Sequence, residues 1–146
     1  MGNNKVQEAV ACFKEEYNCA QAVLSAFCEE LGMDRTAALR VAAGLGGGIG
    51  RLQGPCGAVT GAILVIGLKY GSTERDKEAK DKTYSTVREF IRLFELRNQS
   101  YICRDLLGCG FGEEDRQIAS ERIKTICPKM VADAAEILES LLSETE

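Results

Sequence analysis

The chain has 146 residues, with 22 acidic against 18 basic side chains, a formal net charge of −4, and neither histidine nor tryptophan. Mixed, mildly acidic charge without a basic stripe argues against a nucleic-acid partner. Lack of histidine rules out Ser–His–Asp and Cys–His catalytic units and any mixed Cys/His zinc site.

The length suits a single domain over residues 1–146, and an apolar fraction rich in alanine and aliphatics predicts an all-α, compact multi-helix bundle. In the first segment, Val6, Val10 and Phe13 recur at helical spacing until Tyr17–Asn18 interrupts. Asn18 is a good cap for a second helix running from Cys19 toward Leu31, with Gly32 ending it. Asp34 then caps "RTAALRVAA". After the glycine-rich loop "GLGGGIG", Pro55 takes the first position of "PCGAVTGAILVIGLKY", a glycine-bearing helix apolar on nearly every side and expected at the centre of the bundle. Ser72 or Thr73 caps a charged helix from Glu74 to Arg97 whose core stripe is Val87, Ile91 and Phe94; Asp76–Lys80 and Glu78–Lys82 pair on its solvated face. Ser100 caps the short "YICRDLLG" turn, closed by Gly108. A modest helix over Gln117 to Lys124 follows, and the last helix opens at Cys127–Pro128. The N-terminus has no signal-peptide pattern, and "AVTGAILVIGL" is about half the length needed to cross a bilayer, so no membrane association and a cytoplasmic location are expected.

Seven cysteines are many for such a chain, and in a reducing compartment they point to metal binding or thiol redox chemistry. Four of them fall at predicted helix starts: Cys19 after the Asn18 cap, Cys56 after Pro55, Cys103 three residues after Ser100, and Cys127 before Pro128. A helix start offers free N–H groups and the positive end of the dipole, which favour thiolate and can hydrogen-bond to metal-bound sulfur. Four thiolates leaving four helix starts can converge on one point inside a bundle. Cys12 and Cys28 read as apolar packing, while Cys109 in "GCGFG" is open to either role. No CxxC or CxxCH occurs, which argues against a thioredoxin-like site, a zinc ribbon and c-type haem. Widely spaced single cysteines suit an iron–sulfur cluster better than structural zinc.

The loop "GLGGGIGRLQG" lacks the Lys–Ser/Thr of a phosphate loop, and Ile49 stands where a dinucleotide fingerprint needs glycine. Its glycines are better read as letting backbone pass close to the cysteine site, with Gly47, Gly48, Gly54 and Gly57 as the residues expected against a cofactor. The carboxylates show no pair suited to acid–base catalysis, and "EEDR" reads as a solvated turn.

These residues carry a resemblance. "YNCAQAV" around Cys19, "GGGIGRLQGPCGAVTGAILVIGLKYG" around Cys56, "CRDLLG" at Cys103 and "CPKMVADAAEIL" at Cys127 resemble the redox-active protein family named for its pattern C_GCAxxG_C_C. The family name places glycine before the central cysteine and alanine after it, whereas this chain reads Pro55–Cys56–Gly57–Ala58. The resemblance implies an all-helical domain with a four-cysteine redox site, similar to the iron–sulfur module beside the haem domain of split-Soret cytochromes. The leading expectation is a two-iron, two-sulfide cluster on Cys19, Cys56, Cys103 and Cys127, in an electron carrier or redox sensor rather than a substrate-converting enzyme. Two alternatives stand beside it: a metal-free thiol–disulfide oxidoreductase using Cys56, and a structural four-cysteine zinc module. The partner expected is a redox protein, and the apolar helix from Pro55 makes a homodimer plausible.

Overall fold

A computed structural model describes residues 2–143, with side chains from residue 4 onward. Position 1 and positions 144–146 of the expected domain range lie outside the described residues. Seven α-helices follow one another among these: α1 (Gly2–Lys14), α2 (Cys19–Phe27), α3 (Arg35–Val41), α4 (Gly57–Tyr70), α5 (Lys77–Asn98), α6 (Cys103–Leu107) and α7 (Arg116–Ser143). The all-α expectation holds, and the one β-type contact described is an isolated bridge between Pro55 and Ile102. None of the described helices is long and apolar enough to cross a membrane.

Helix α4 is the centre. It packs on α2, α5 and α7, and Ala58, Val59, Ala62, Val65 and Ile66 along it are completely buried. Its glycines set how closely α2 can approach. A Cβ added at Gly61 would stand 2.7 Å from the Ala20 carbonyl oxygen and 2.9 Å from its Cα. Such contact is open only to glycine, and it brings the start of α2, with Cys19, against the start of α4, with Cys56.

The N-terminus of α2 is held as its sequence predicts. Asn18 accepts from the Gln21 N–H at 2.8 Å, and the Gln21 side chain accepts in turn from the Asn18 N–H at 2.9 Å. This reciprocal box satisfies two donors the helix leaves free. Asn18 also donates to the Ala43 carbonyl at 3.1 Å, tying the cap to the chain entering the glycine-rich loop. Asp34 caps α3 through the Ala37 N–H at 2.8 Å. Helix α2 itself stops at Phe27; a 3₁₀ turn over Glu29–Leu31 carries the chain to Gly32, whose φ of 94° ends it.

Five local expectations are corrected. Pro55 is not the first residue of α4, because it lies in the bridge to Ile102 and Cys56 takes the N-cap position. Asp76, rather than Ser72 or Thr73, caps α5, its carboxylate accepting from the Ala79 N–H at 3.1 Å. That role removes it from the expected pair with Lys80, and the ion pair formed on this face is Lys77–Asp81 at 2.8 Å. Thr86, Phe90 and Phe94 form the most buried line of α5, with Val87 and Ile91 at its flank. Ser100 acts two residues ahead of the α6 cap position, which is Ile102; its hydroxyl accepts from the Ile102 N–H and donates to Asp105.

The largest correction concerns the C-terminal third. Positions expected to hold two helices, separated at Cys127–Pro128, form one helix of 28 residues with Pro128 in its interior. A mid-helix proline costs about 3 kcal/mol through its missing donor and the crowded carbonyl one turn back. Burial of Met130, Val131, Ala134, Ile137 and Leu138 on one side of it, and of Ala119 on the other, outweighs that cost. Helix α7 is further fixed to α5 by the buried Asp133, which accepts from Lys129 at 2.7 Å and from Arg97 and Asn98 at 3.2 Å.

Candidate redox site

Three of the four helix-start cysteines hold that position. Cys19 is the first residue of α2, Cys56 is the N-cap of α4, and Cys103 is the first residue of α6. Cys127 differs, lying in the middle of α7 with no helix start behind it. The structure nonetheless brings it to the others. The Cys19 thiol is in hydrogen-bonding contact with both Cys127 and Cys56, and Cys103 lies close enough to feel the charge of each of those two. Cys56 and Cys103 are buried, while Cys19 and Cys127 are partly exposed. All seven cysteines are free thiols.

The electrostatics separate these thiols. Hydrogen bonding from Cys19 holds Cys56 below the usual thiol range, helped by the backbone N–H groups of Ala58 and Val59 and opposed by burial. This is the expected action of a helix N-terminus on a thiolate. Cys19, the donor, moves the other way: its hydrogen bonds to Cys127 and Cys56, then burial, push it well above the ordinary value. Burial pushes Cys103 up to about 11, with the nearby Cys56 and Cys127 adding to the rise and the Gln53 side chain opposing it. The result is one thiolate-favouring sulfur, Cys56, beside two thiols, Cys19 and Cys103, that hold their protons.

The loop between α3 and α4 closes over this cluster, and its fit is tightest at Gly48. A Cβ there would lie 2.8 Å from the Cys103 Cβ and 2.7 Å from the Gly54 nitrogen. Gly54 in turn accepts from the Cys103 N–H at 2.7 Å, and the Cys56 N–H donates to the Tyr101 carbonyl at 2.7 Å. Those two bonds lock the chain before α4 to the chain before α6, so that Cys56 and Cys103 are placed by the same short backbone pairing. Gly57 lies where a Cβ would stand 3.1 Å from that of Cys19. Gly47 faces elsewhere, against Arg51. The N–H groups of Ala58 and Val59, in the first turn of α4, reach the Cys56 sulfur.

Sequence reasoning missed Gln53. Its amide nitrogen donates to the Cys109 carbonyl at 2.8 Å, and its side chain also hydrogen-bonds Cys103. Nothing in "RLQGPC" marks this glutamine, because its role depends on a backbone φ of 62° that only the folded loop imposes. Cys109 is buried beside Cys103 and adds to the rise of its pKa. Cys12 and Cys28 lie in the core and bond elsewhere; the Cys12 sulfur accepts from Ser25 at 3.5 Å and from Arg35 at 3.8 Å, and the Cys28 thiol donates to the Ser25 carbonyl at 3.6 Å. Among the described residues, no three Cys, Asp or Glu side chains are arranged around a position for a single metal ion.

The family description "Putative redox-active protein (C_GCAxxG_C_C)" matches residues 17–141, a span that contains all four clustered cysteines and the loop over them. Among curated proteins and solved structures, none matches the chain. With the match covering most of its length, the chain belongs to the C_GCAxxG_C_C family.

Proposed function

We propose that the protein carries a two-iron, two-sulfide cluster on Cys19, Cys56, Cys103 and Cys127 and works as a one-electron carrier or redox sensor. The observation that carries this reading is the gathering of four free thiols, from four separate helices, into one mutually interacting group. An all-thiol donor set with backbone N–H groups aimed at sulfur fits an anionic iron–thiolate centre. Such a cluster takes two thiolates at each iron, so it does not ask for three donors around one point. When bound, it supplies exchange of a single electron.

The chain's own groups set the surroundings. Cys56 is the sulfur best prepared to lose its proton, since Ala58 and Val59 direct N–H groups at it. Cys103 is kept from water by the loop, whose Gly48 leaves no room for a side chain between them. Gln53 adds a polar hydrogen bond on that same sulfur. Hydrogen bonds to cluster sulfurs and exclusion of water are the means by which a protein tunes such a potential.

Site assignment is tested by single Cys→Ser variants purified without oxygen. Serine at Cys19, Cys56, Cys103 or Cys127 is expected to abolish, or lower severalfold, the iron retained per chain. Serine at Cys28, whose thiol donates to the Ser25 carbonyl instead, leaves it near the wild-type level. Wild-type iron in all four site variants refutes the assignment.

A second reading has its own observation. The Cys19–Cys56 hydrogen bond, with Cys56 favoured as thiolate, is the arrangement of an attacking thiol beside a resolving one. It predicts a colourless protein in which Cys56 is alkylated much faster than the other six thiols.

A further inference from the structure

The turn after α6 brings a fifth thiol to the cysteine group. Among the described residues, the apolar core takes in Cys12, Cys28 and Cys56 but neither Cys103 nor Cys109. Cys109 is nonetheless buried, so it is not apolar filler of the kind Cys12 and Cys28 provide. It follows Gly108, whose φ of 74° folds the chain back toward the start of the five-residue helix α6. Polar contacts clasp this turn. Arg122 donates to the Leu107 carbonyl at 2.8 Å, the Gly110 N–H donates to the Asp115 carboxylate at 3.1 Å, and Gln53 donates to the Cys109 carbonyl at 2.8 Å.

The partner this turn offers Cys109 is Cys103. The Gln53 side chain that holds the Cys109 carbonyl also hydrogen-bonds the Cys103 sulfur, so one amide group spans the two cysteines. Cys109 also stands near enough for its charge to act on Cys103. A disulfide asks that the two Cα atoms come within about 7 Å. Glycine on either side of Cys109, at 108 and 110, lets its backbone make the last adjustment. Cys103 is fixed more firmly. Its N–H donates to the Gly54 carbonyl at 2.7 Å, and the loop leaves no room beside its Cβ at Gly48. The turn therefore carries an adjustable thiol to a stationary one.

We propose that Cys103 and Cys109 form a disulfide when the iron-free protein meets a low-molecular-weight disulfide such as oxidised glutathione, and that this bond takes Cys103 out of the cluster site. Pairing of the two sulfurs stands on their placement; its effect on iron rests on the cluster reading above. The S–S bond of the oxidant breaks as a mixed disulfide forms on Cys109, and the first small thiol leaves with the Cys109 proton. The Cys103 sulfur then displaces the second small thiol, which leaves with the Cys103 proton. Two protein thiols lose two electrons, and the oxidant gains them. Reduction by a dithiol reverses both steps and returns Cys103 to the site. The pair is distinct from Cys19–Cys56, which the thiol–disulfide reading invokes.

The test is a disulfide map. The full chain, iron-free, reduced and folded, is treated with oxidised glutathione, quenched in acid, alkylated, and digested with trypsin without reduction. Cleavage after Arg97, Arg104 and Arg116 puts Cys103 and Cys109 on separate peptides, 98–104 and 105–116, so their bond appears as one linked mass. That linked pair is the expected major product of Cys103. Cys103 joined mainly to Cys19, Cys56 or Cys127, or left unpaired, overturns the proposal. Uptake of ferrous iron and sulfide is then read on the same samples. Oxidised wild type is expected to take up severalfold less iron than reduced wild type, and a dithiol restores it. C109S treated in the same way keeps most of the uptake it shows when reduced. Equal loss in C109S overturns the withdrawal of Cys103. A linked pair in a chain that takes up no iron even when reduced leaves the disulfide standing and removes the cluster reading alone.

Discussion

Gly61→Val is expected to unfold the chain or to lower its stability by about 3 kcal/mol or more in urea denaturation. The reason is the nature of what the new side chain meets. A Cβ at position 61 lies 2.7 Å from the Ala20 carbonyl oxygen and 2.9 Å from its Cα, and both are backbone in the first turn of α2. A flexible side chain could swing aside there; a helix cannot, without carrying Cys19 away from Cys56. Gly67→Ala on the same helix is the control. No atom lies within 4 Å of a Cβ built there, so the substitution gains about 0.5–1 kcal/mol from helix propensity. Opposite signs for two glycines of one helix separate close packing from propensity. If Gly61→Val matches wild type, the close approach of α2 and α4 does not position the site.

The second large effect is expected at Gly48. It combines a φ of +70° with a Cβ position 2.7–2.8 Å from Gly54 N, the Gln53 carbonyl carbon and the Cys103 Cβ. Gly48→Ala therefore meets both backbone strain and a clash against one of the proposed cluster ligands. A Cβ at Gly48 meets loop backbone and Cys103 rather than the packed faces of α1, α2, α4, α5 and α7, so the damage is local. The variant is expected to keep wild-type helix content by circular dichroism while losing most of its iron. Gly44→Ala in the same loop, where a Cβ meets no atom within 4 Å, is expected to keep its iron. Full iron retention by Gly48→Ala would show that the loop does not shape the site.

The helical class and several boundaries were legible because they depend on local chemistry. Asn18 and Asp34 sit where a short polar side chain precedes an apolar period, and each does cap its helix. The central place of α4 followed from a sequence apolar on almost every side, which only a helix surrounded by others can bury. The failures came where tertiary structure overrode a local signal. Pro55 looks like a helix start, yet its neighbours are claimed by the pairing with the strand-like chain before α6. Pro128 looks like a helix start as well, and lies inside one, because α7 buries apolar residues on both sides of it.

The site was legible only as a list of cysteines at helix starts. That rule placed Cys19, Cys56 and Cys103 at the beginnings of α2, α4 and α6. It gave the wrong reason for Cys127, which reaches the group from the middle of a helix. The contribution of Gln53 was invisible, since it comes from a loop whose alternating left-handed residues have no counterpart in propensity, while Cys109, open to either role from the sequence, is brought beside Cys103 by a separate turn after α6. Glycine spacing marked that loop as unusual without telling which glycine faces sulfur and which, like Gly47, faces an arginine.

The central claim is that the thiols of Cys19, Cys56, Cys103 and Cys127 hold iron. Iron and acid-labile sulfide, counted per chain on protein purified without oxygen, test it most directly. The account predicts about two of each, with charge-transfer absorption in the visible. A colourless protein without iron or sulfide, and with Cys56 alkylated ahead of the other thiols, would contradict it and leave the thiol–disulfide reading in its place.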